Sequence, residues 1–316
     1  MNKIMTVCGW ENLENIGFCQ PHEHLMISHG VSAKLHPALC IDDIEKSTAE
    51  VFTFKEHGGK TIIDAQPGGC NRMESALYEI SKNTGVNIIA STGFHKLIFY
   101  PKEHWIHTIS LEELEDFYTH ELTFGMYSDI NLKLHKNFVP YKAGIIKAAL
   151  DTKGLTPIYK KCFMAAAKAS IRCNVPMMIH IEQGSDPVTL LDTLLSWGVP
   201  SHRLLFCHMD REVLPLSYYT SVLDKGISLE FDTIGRFKYH SDEDEAALVM
   251  KLITAGYEDQ LLFSLDTTRD RHRSYNKDGI GLSYLFTDFL PLIRKYGIRD
   301  EQIYKITHTN LMRVFN

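Results

Sequence analysis

The chain has 316 residues and carries 33 Lys and Arg against 39 Asp and Glu, a formal net charge of −6. That charge offers no general attraction for nucleic acid, and no apolar run approaches the roughly 20 residues that cross a bilayer. The seven cysteines are scattered without CxxC pairs, which argues against a disulfide framework and a structural zinc ribbon. We therefore predict a cytoplasmic protein with no nucleic-acid or membrane partner, and a homodimer is left open.

The first strand-like stretch is FCQPHEHLMI, in which His22, Glu23 and His24 interrupt an apolar run. Alternate side chains of a strand share a face, so His22 and His24 point one way and Glu23 points the other. Two imidazoles on one face suit a divalent metal. An HxH triplet also arises by chance among 16 histidines, so two ordinary surface or core histidines are the alternative.

Strand-like and helix-like segments then alternate to the end of the chain, which predicts parallel βα units. Counting from FCQPHEHLMI gives eight strands, the others being KTIIDAQP, VNIIASTGFH, YKAGIIKAAL, VPMMIHIE, RLLFCHMD, ISLEFDTIG and LLFSLD. An α/β fold of the (β/α)8 TIM barrel type fits better than a doubly wound sheet, whose GxGxxG loop is absent. No repeat or composition break marks a second domain, so residues 1–316 are predicted to form one barrel domain.

Several helix boundaries and one long loop can also be predicted. Asp42 or Asp43 can cap the helix that ends at the glycine pair after EKSTAEVFTFKEH, and Ser110 with Glu113 matches a capping box. The stretch GLSYLFTDFLPLIRKYG is predicted to be the final helix. The loop 95–110 mixes aromatic and basic residues, so it could be a lid or could fold back onto the body.

Metal-binding side chains recur at the carboxyl ends of the predicted strands. Those ends converge on one mouth of a barrel, so residues far apart in sequence become neighbours there. Singly, His180 or His208 could be a core histidine and Asp266 a capping residue. Their joint occurrence favours a metal centre built from six side chains: His22, His24, Lys147, His180, His208 and Asp266.

The whole chain, from TVCGWENLENIGFCQPHEHL to HTNLMRVF, resembles the phosphotriesterase-like branch of the amidohydrolase superfamily. The resemblance implies a binuclear centre at the strand ends, with His22, His24 and Asp266 at a buried metal and His180 and His208 at an exposed one. A carboxylated Lys147, in the context AGIIKAA, would bridge the two. Two divalent metal ions are therefore implied, with zinc as the first choice and manganese or cobalt as alternatives.

The chemistry of hydrolysis accounts for these ligand types. A carbamate formed on Lys147 is an anion with two oxygens, one for each cation. Metal ligation lowers the pKa of bound water from about 16 toward 7, so a metal-bridging hydroxide can be the nucleophile. Asp266 is placed to accept its proton and pass it to the leaving oxygen, which makes Asp266 the predicted catalytic residue. The alternative role for Asp266 is that of a ligand alone.

The substrate prediction rests on two basic stretches, TIGRFKYHSD (loop seven) and TTRDRHRSYNKDG (loop eight). Arginine forks match phosphate oxygens, and barrel phosphate sites are often built from the last two loops. The predicted substrate-binding residues are Arg236, Lys238, Arg269, Arg271, Arg273 and Tyr275. The alternative is that these bases pair with Asp242, Asp270 and Asp278 on a solvated face.

The stretches FCQPHEHL, STGFHK and SLDTTRDRHR resemble most the phospho-furanose lactonases. That resemblance implies a small-molecule partner, a phosphorylated sugar lactone (a 1,4-lactone 5-phosphate), opened by a carboxylic-ester hydrolase. A phosphotriesterase or an acyl-homoserine lactonase is the alternative within the same chemistry. A metal- or sugar-phosphate-binding protein without catalysis is the alternative from another class.

Overall fold

A computed structural model describes residues 3–316 of the chain. It begins with an antiparallel hairpin, β1 (Lys3–Thr6) and β2 (Gly9–Asn12). The backbone N–H of Val7 in the hairpin turn donates to the carbonyl of Ile88, 2.8 Å away. The sequence analysis made no prediction for this hairpin, which packs against one end of the strand system that follows.

Eight parallel strands form the centre of the fold, and all eight coincide with the predicted stretches. They are β3 (Phe18–Glu23), β4 (Gly59–Asp64), β5 (Asn87–Gly93), β6 (Ala143–Leu150), β7 (Met177–Ile181), β8 (Leu204–Cys207), β9 (Ser228–Phe231) and β10 (Leu261–Phe263). Each strand pairs with the next in sequence. The ring closes where the N–H of Asp266 donates to the carbonyl of His22, at 3.0 Å. The (β/α)8 barrel prediction is confirmed.

Helices cover the outside of the barrel. They are α1 (Val31–Leu35), α2 (Ile44–Glu56), α3 (Glu74–Thr84), α4 (Leu111–Thr123), α5 (Pro157–Cys173), α6 (Pro187–Ser196), α7 (Leu216–Leu223), α8 (Asp242–Thr254), α9 (Leu290–Lys295), α10 (Asp300–Tyr304) and α11 (Asn310–Phe315). Asp43, rather than Asp42, caps α2 by accepting from the N–H of Lys46 at 3.1 Å. The capping box of Ser110 and Glu113 at α4 is present as predicted.

The hydrophobic core has an inner and an outer layer. The inner layer fills the barrel with one side chain from nearly every strand, for example Ile63, Ile145 and Leu205. We call the end of the barrel at the carboxyl ends of its strands the mouth. Ile4 of the hairpin and Leu311 of α11 join the inner layer, so these two segments close the end of the barrel opposite the mouth. The larger outer layer lies between strands and helices.

The C-terminal helices differ from the prediction, and the loop 95–110 decides between two alternatives left open by the sequence. The stretch predicted as the final helix is helical through a π-turn (Leu285–Phe289) and α9, but α10, a second π-turn (Lys305–Thr309) and α11 follow it. In the loop 95–110, Trp105 is buried and donates through Nε1 to the carbonyl of Ile130 at 2.7 Å, so this part folds back onto the body. No helix within residues 3–316 is long and apolar enough to cross a membrane.

Candidate metal centre

The six predicted metal ligands all lie at the mouth. His22, Lys147 and His180 stand on β3, β6 and β7. Of the other three, His24 and His208 directly follow β3 and β8, and Asp266 is the third residue after β10. All six are at least nine-tenths buried, so each polar atom must find a partner within the site or bind an ion.

His22, His24 and Asp266 form one compact group. One ligand atom from each lies within 4.8 Å of the other two. Oδ1 of Asp266 is 3.4 Å from Nε2 of His24 and 3.7 Å from Nε2 of His22. Two imidazole nitrogens and one carboxylate oxygen facing a common point are a donor set that divalent transition metals accept.

The second group adjoins the first. The ring of His208 has its centroid 4.4 Å from that of His180 and 4.8 Å from that of His22. Nζ of Lys147 lies 3.1 Å from Nε2 of His22 and 3.6 Å from Sδ of Met178. Among residues 3–316 no carboxylate lies within ion-pair distance of Lys147, although its side chain is fully buried. A buried ammonium without an anion is costly, so this lysine suits conversion to a carbamate.

Three of the four histidines bind a carboxylate through one ring nitrogen, which leaves the other nitrogen for a metal. Nδ1 of His22 lies 3.1 Å from Oε2 of Glu230, and Nδ1 of His208 lies 2.7 Å from Oδ1 of Asp232. Nε2 of His180 lies 2.8 Å from an oxygen of Glu182. Burial lowers the pKa values of His22 and His208 well below the ordinary value for histidine. The imidazoles are therefore neutral, the form that binds metals.

Two of the candidate ligands have a strained backbone. His208 has φ 64° and Asp266 has φ 46°, the left-handed region that costs a non-glycine residue about 1–3 kcal/mol. The N–H of His208 donates to Asp232 at 3.1 Å. Glu23 accepts from the N–H groups of Leu265 and Thr267, both at 2.9 Å, which flank Asp266. Buried carboxylates thus hold both strained residues, a role that the sequence analysis did not assign to them.

Asp266 divides its two oxygens between the histidines and an arginine. Oδ2 accepts from Nη2 of Arg236 at 2.9 Å, and the same guanidinium also donates to the backbone carbonyl of Asp266. Burial alone would raise the pKa of Asp266, but Arg236 and the neighbouring His24 and His22 hold it well below its ordinary value. Asp266 is therefore a carboxylate at neutral pH, with Oδ1 directed to the metal ligands.

The predicted substrate-binding residues of loop eight mostly bind the protein itself. Arg271 donates to the carbonyls of Gly235, Ile234 and Leu265 at 2.8–3.0 Å, and burial lowers its pKa to about 10. The hydroxyl of Tyr275 donates to the carbonyl of Asp43 at 2.6 Å. Arg271 and Tyr275 thus anchor loop eight to loop seven and to the start of α2.

Arg269 and Arg273 lie nearer the solvent. Arg269 donates to the carbonyl of Cys40 at 3.1 Å and lies 3.5 Å from Asp42, and both of these charged side chains are at least 40 % exposed. Arg273 donates to the carbonyl of Gly279 at 3.2 Å and is exposed. Exposed ion pairs are weak, so Arg269 is the loop-eight arginine that can exchange its partner for a ligand.

Further charged residues at the mouth were not predicted. Nζ of Lys96 lies 2.6 Å from Oε2 of Glu182, and Nη1 of Arg211 lies 3.9 Å from the same oxygen. The guanidinium of Arg211 lies 5.8 Å from the ring centre of Tyr239, and Nζ of Lys238, a predicted substrate-binding residue, lies 4.7 Å from the same point. The spacing HIE in VPMMIHIE does contain a signal for Glu182, because residues i and i+2 of a strand share a face.

An eight-stranded parallel barrel with histidine, lysine and aspartate side chains converging at its mouth is typical of metal-dependent barrel hydrolases. A model of the phosphotriesterase family matches residues 2–315. The chain belongs to the phosphotriesterase family, as the sequence resemblance predicted, and it is a hydrolase.

The comparisons with individual proteins agree over the whole chain. It is 30 % identical to a phospho-furanose lactonase of Mycoplasmopsis synoviae, over 98 % of this chain and 90 % of the relative. The crystal structure of a lactonase from Listeria monocytogenes has a TM-score of 0.89 and 28 % identity, covering 99 % of both chains. The phosphotriesterase homology protein of Escherichia coli, complexed with phosphate in its active site, has a TM-score of 0.85 and 25 % identity, covering 96 % of this chain and 99 % of that one.

Proposed function

We propose that this protein is a binuclear metal-dependent lactonase that opens a phosphorylated sugar 1,4-lactone. The observation that carries the substrate class is the pair of cations, Arg211 and Lys238, on the ring of Tyr239 at the mouth. Among residues 3–316 no carboxylate lies within ion-pair distance of Lys238, and its side chain is exposed. Two cations that contact the same ring, one of them without an ion-pair partner among these residues, favour an anionic ligand.

His22, His24 and Asp266 would hold the buried metal, His180 and His208 the exposed one, and a carboxylated Lys147 would bind both. The donor set fits these ions, because three histidines have a nitrogen fixed by a carboxylate and Lys147 has no competing acid. The two ions, when bound, supply an activated water and polarise the lactone carbonyl. Zinc is our first choice, with manganese and cobalt as alternatives.

The chain's own residues then complete the reaction. Water adds to the lactone carbonyl carbon, the bond to the ring oxygen breaks, and a hydroxy acid results. Asp266 is an ionised carboxylate beside the histidines that would hold the buried metal, so it can accept the proton of the attacking water and return it to the ring oxygen. Arg236, bonded to Oδ2 of Asp266, orients the carboxylate for this transfer.

The test compares 1,4-lactones with and without a 5-phosphate, together with an acyl-homoserine lactone and a neutral phosphotriester. A charge-assisted contact is worth about 1.5–3 kcal/mol, so kcat/KM should favour the phosphorylated lactone roughly ten- to 150-fold for each phosphate contact. Equal rates with and without phosphate, or faster turnover of the neutral esters, would contradict the proposed substrate.

A variant pair refines this test. Lys238→Met should lower kcat/KM on the phosphorylated lactone and leave the same lactone without phosphate unchanged. Lys251→Met, which removes an exposed lysine from the outer helix α8, is the matched control and should affect neither. A loss on both lactones in Lys238→Met would mean that Lys238 does not recognise the phosphate.

A further inference from the structure

One of the three carboxylates that bind the histidine ligands differs from the other two. Glu230 and Asp232 are completely buried, whereas the side chain of Glu182 is 27 % exposed at the mouth. Among residues 3–316 Glu182 is the carboxylate that contacts His180, and His180 belongs to the exposed position of the proposed binuclear centre. The orientation of this ligand thus depends on a residue that is open to solvent.

The backbone of Glu182 is rigidly placed. Its N–H donates to the carbonyl of Leu150 at the end of β6, at 3.0 Å. Its carbonyl accepts from the N–H and the hydroxyl of Ser185, at 3.0 and 2.7 Å. The i, i+2 spacing from His180 directs both side chains to the same face. The hydrogen bonds at the end of β7 therefore fix the backbone of Glu182 so that its side chain faces His180.

The contact also determines which nitrogen of His180 is available. A carboxylate beside Nε2, at 2.8 Å, accepts a hydrogen bond from Nε2–H and so selects the tautomer with Nδ1 unprotonated. Nδ1 of His180 has no hydrogen-bond partner within the described residues 3–316. Nδ1 of His180 thus has a free lone pair and is available to bind a metal ion.

We propose that Glu182 is a positioning residue that sets the metal affinity of the exposed position, through His180, without affecting the buried position. The proposal rests on the binuclear centre of the proposed function. A neutral glutamine in its place keeps the volume, but its amide can donate to Nε2 and select the other tautomer, which protonates Nδ1. Outer carboxylates of this kind typically change metal affinity 10- to 100-fold.

A plain structural role for Glu182 has to be distinguished from this one. Glu182 also pairs with Lys96 at 2.6 Å, so its loss could act by releasing Lys96. Lys96→Met removes that ion pair but leaves the contact with His180. A positioning role therefore predicts a large effect of Glu182→Gln and a small effect of Lys96→Met, while a role as the tether of Lys96 predicts equal effects.

The experiment is a titration of metal-free protein with Co²⁺, followed by visible absorption and by competition with a chelator, with thermal unfolding as the check on folding. The wild type should bind two equivalents. Glu182→Gln should keep the first equivalent unchanged and bind the second roughly 10- to 100-fold more weakly. Glu212→Gln is the matched control, because Glu212 lies in the neighbouring loop and its carboxylate accepts from Gln183 at 3.1 Å, away from His180.

Three outcomes would overturn the proposal. If Glu182→Gln binds both equivalents like the wild type, Glu182 does not position His180. If both equivalents weaken together, or if Lys96→Met weakens the second equivalent as much as Glu182→Gln does, the role of Glu182 is structural. A wild type that binds one equivalent contradicts the binuclear centre, and with it this proposal, and is recognised before any variant is measured.

Discussion

Glu23 gives the sharpest test of how the site is held together. Its buried carboxylate accepts from Ser264 Oγ at 2.8 Å, from the N–H groups of Leu265 and Thr267 at 2.9 Å, and from the hydroxyl of Thr267. Asp266 lies between these donors with φ 46°. Glu23 therefore fixes the backbone on both sides of the proposed catalytic carboxylate.

Glu23→Gln keeps the size of the side chain and one acceptor oxygen. The amide group replaces the oxygen that faces Thr267, so a buried N–H loses its acceptor, at a cost of about 1–3 kcal/mol. Domains of ordinary stability, about 5–15 kcal/mol, tolerate such a loss. We expect the variant to fold, to lose stability in urea denaturation by this amount, and to bind the first metal equivalent more weakly, because Asp266 is released.

Glu50→Gln is the matched control for this prediction. Glu50 is also buried and also accepts from two backbone N–H groups, those of Ser274 and Leu282, at 2.8 and 2.9 Å. Both lie beyond Asp266 in the chain. Its substitution should cost similar stability and leave metal binding unchanged. If Glu23→Gln loses stability but binds metal like Glu50→Gln, the inference that Glu23 positions Asp266 is refuted.

The other predictions concern Lys147 and loop seven. Lys147→Met should abolish lactonase activity and weaken metal binding, and Lys147→Glu should restore part of both; normal turnover and metal content in Lys147→Met would exclude the bridging role. Burial alone would lower the pKa of His240, but its ion pair with Glu245, 3.0 Å away, and the charge of Asp210 raise the pKa to about 9. Because this folded-state pKa lies above the ordinary 6.5, the stabilisation is complete below pH 6.5 and is lost as the pH rises through about 9. Urea denaturation should therefore show that His240→Gln loses more stability relative to the wild type at pH 6 than well above pH 9; an equal difference at both pH values would exclude a charged His240.

The barrel was predictable because its signals are local. Each strand is a short apolar run followed by a helix, and parallel pairing follows from that alternation. The hairpin of β1 and β2 and the terminal helices were missed for a different reason. Ile4 and Leu311 gain their burial by closing the same end of the barrel, and neither segment indicates from its own pattern that the other exists.

The residues that support the metal centre were hidden by sequence separation. The sequence predicted that Glu23 faces away from His22. It could not predict what Glu23 contacts there, because its partner Thr267 lies 244 residues further along the chain. Nothing in the spacing of either stretch indicates that contact. Residue type was equally insufficient in loop eight, where Arg271 has the chemistry of a phosphate ligand but donates to three backbone carbonyls. Only the fold shows which donors are already used.

The proposed anionic substrate has to be reconciled with the net charge of the protein, which is −6. The acids nearest the substrate side, Glu182 and Asp266, are each paired with a cation, the first with Lys96 and the second with Arg236. Bound metals would add further positive charge at the same place. Electrostatic attraction depends on the field within a cleft rather than on the charge of the whole protein. An acidic protein can therefore still accept an anion at its mouth, as the proposed phosphorylated lactone requires.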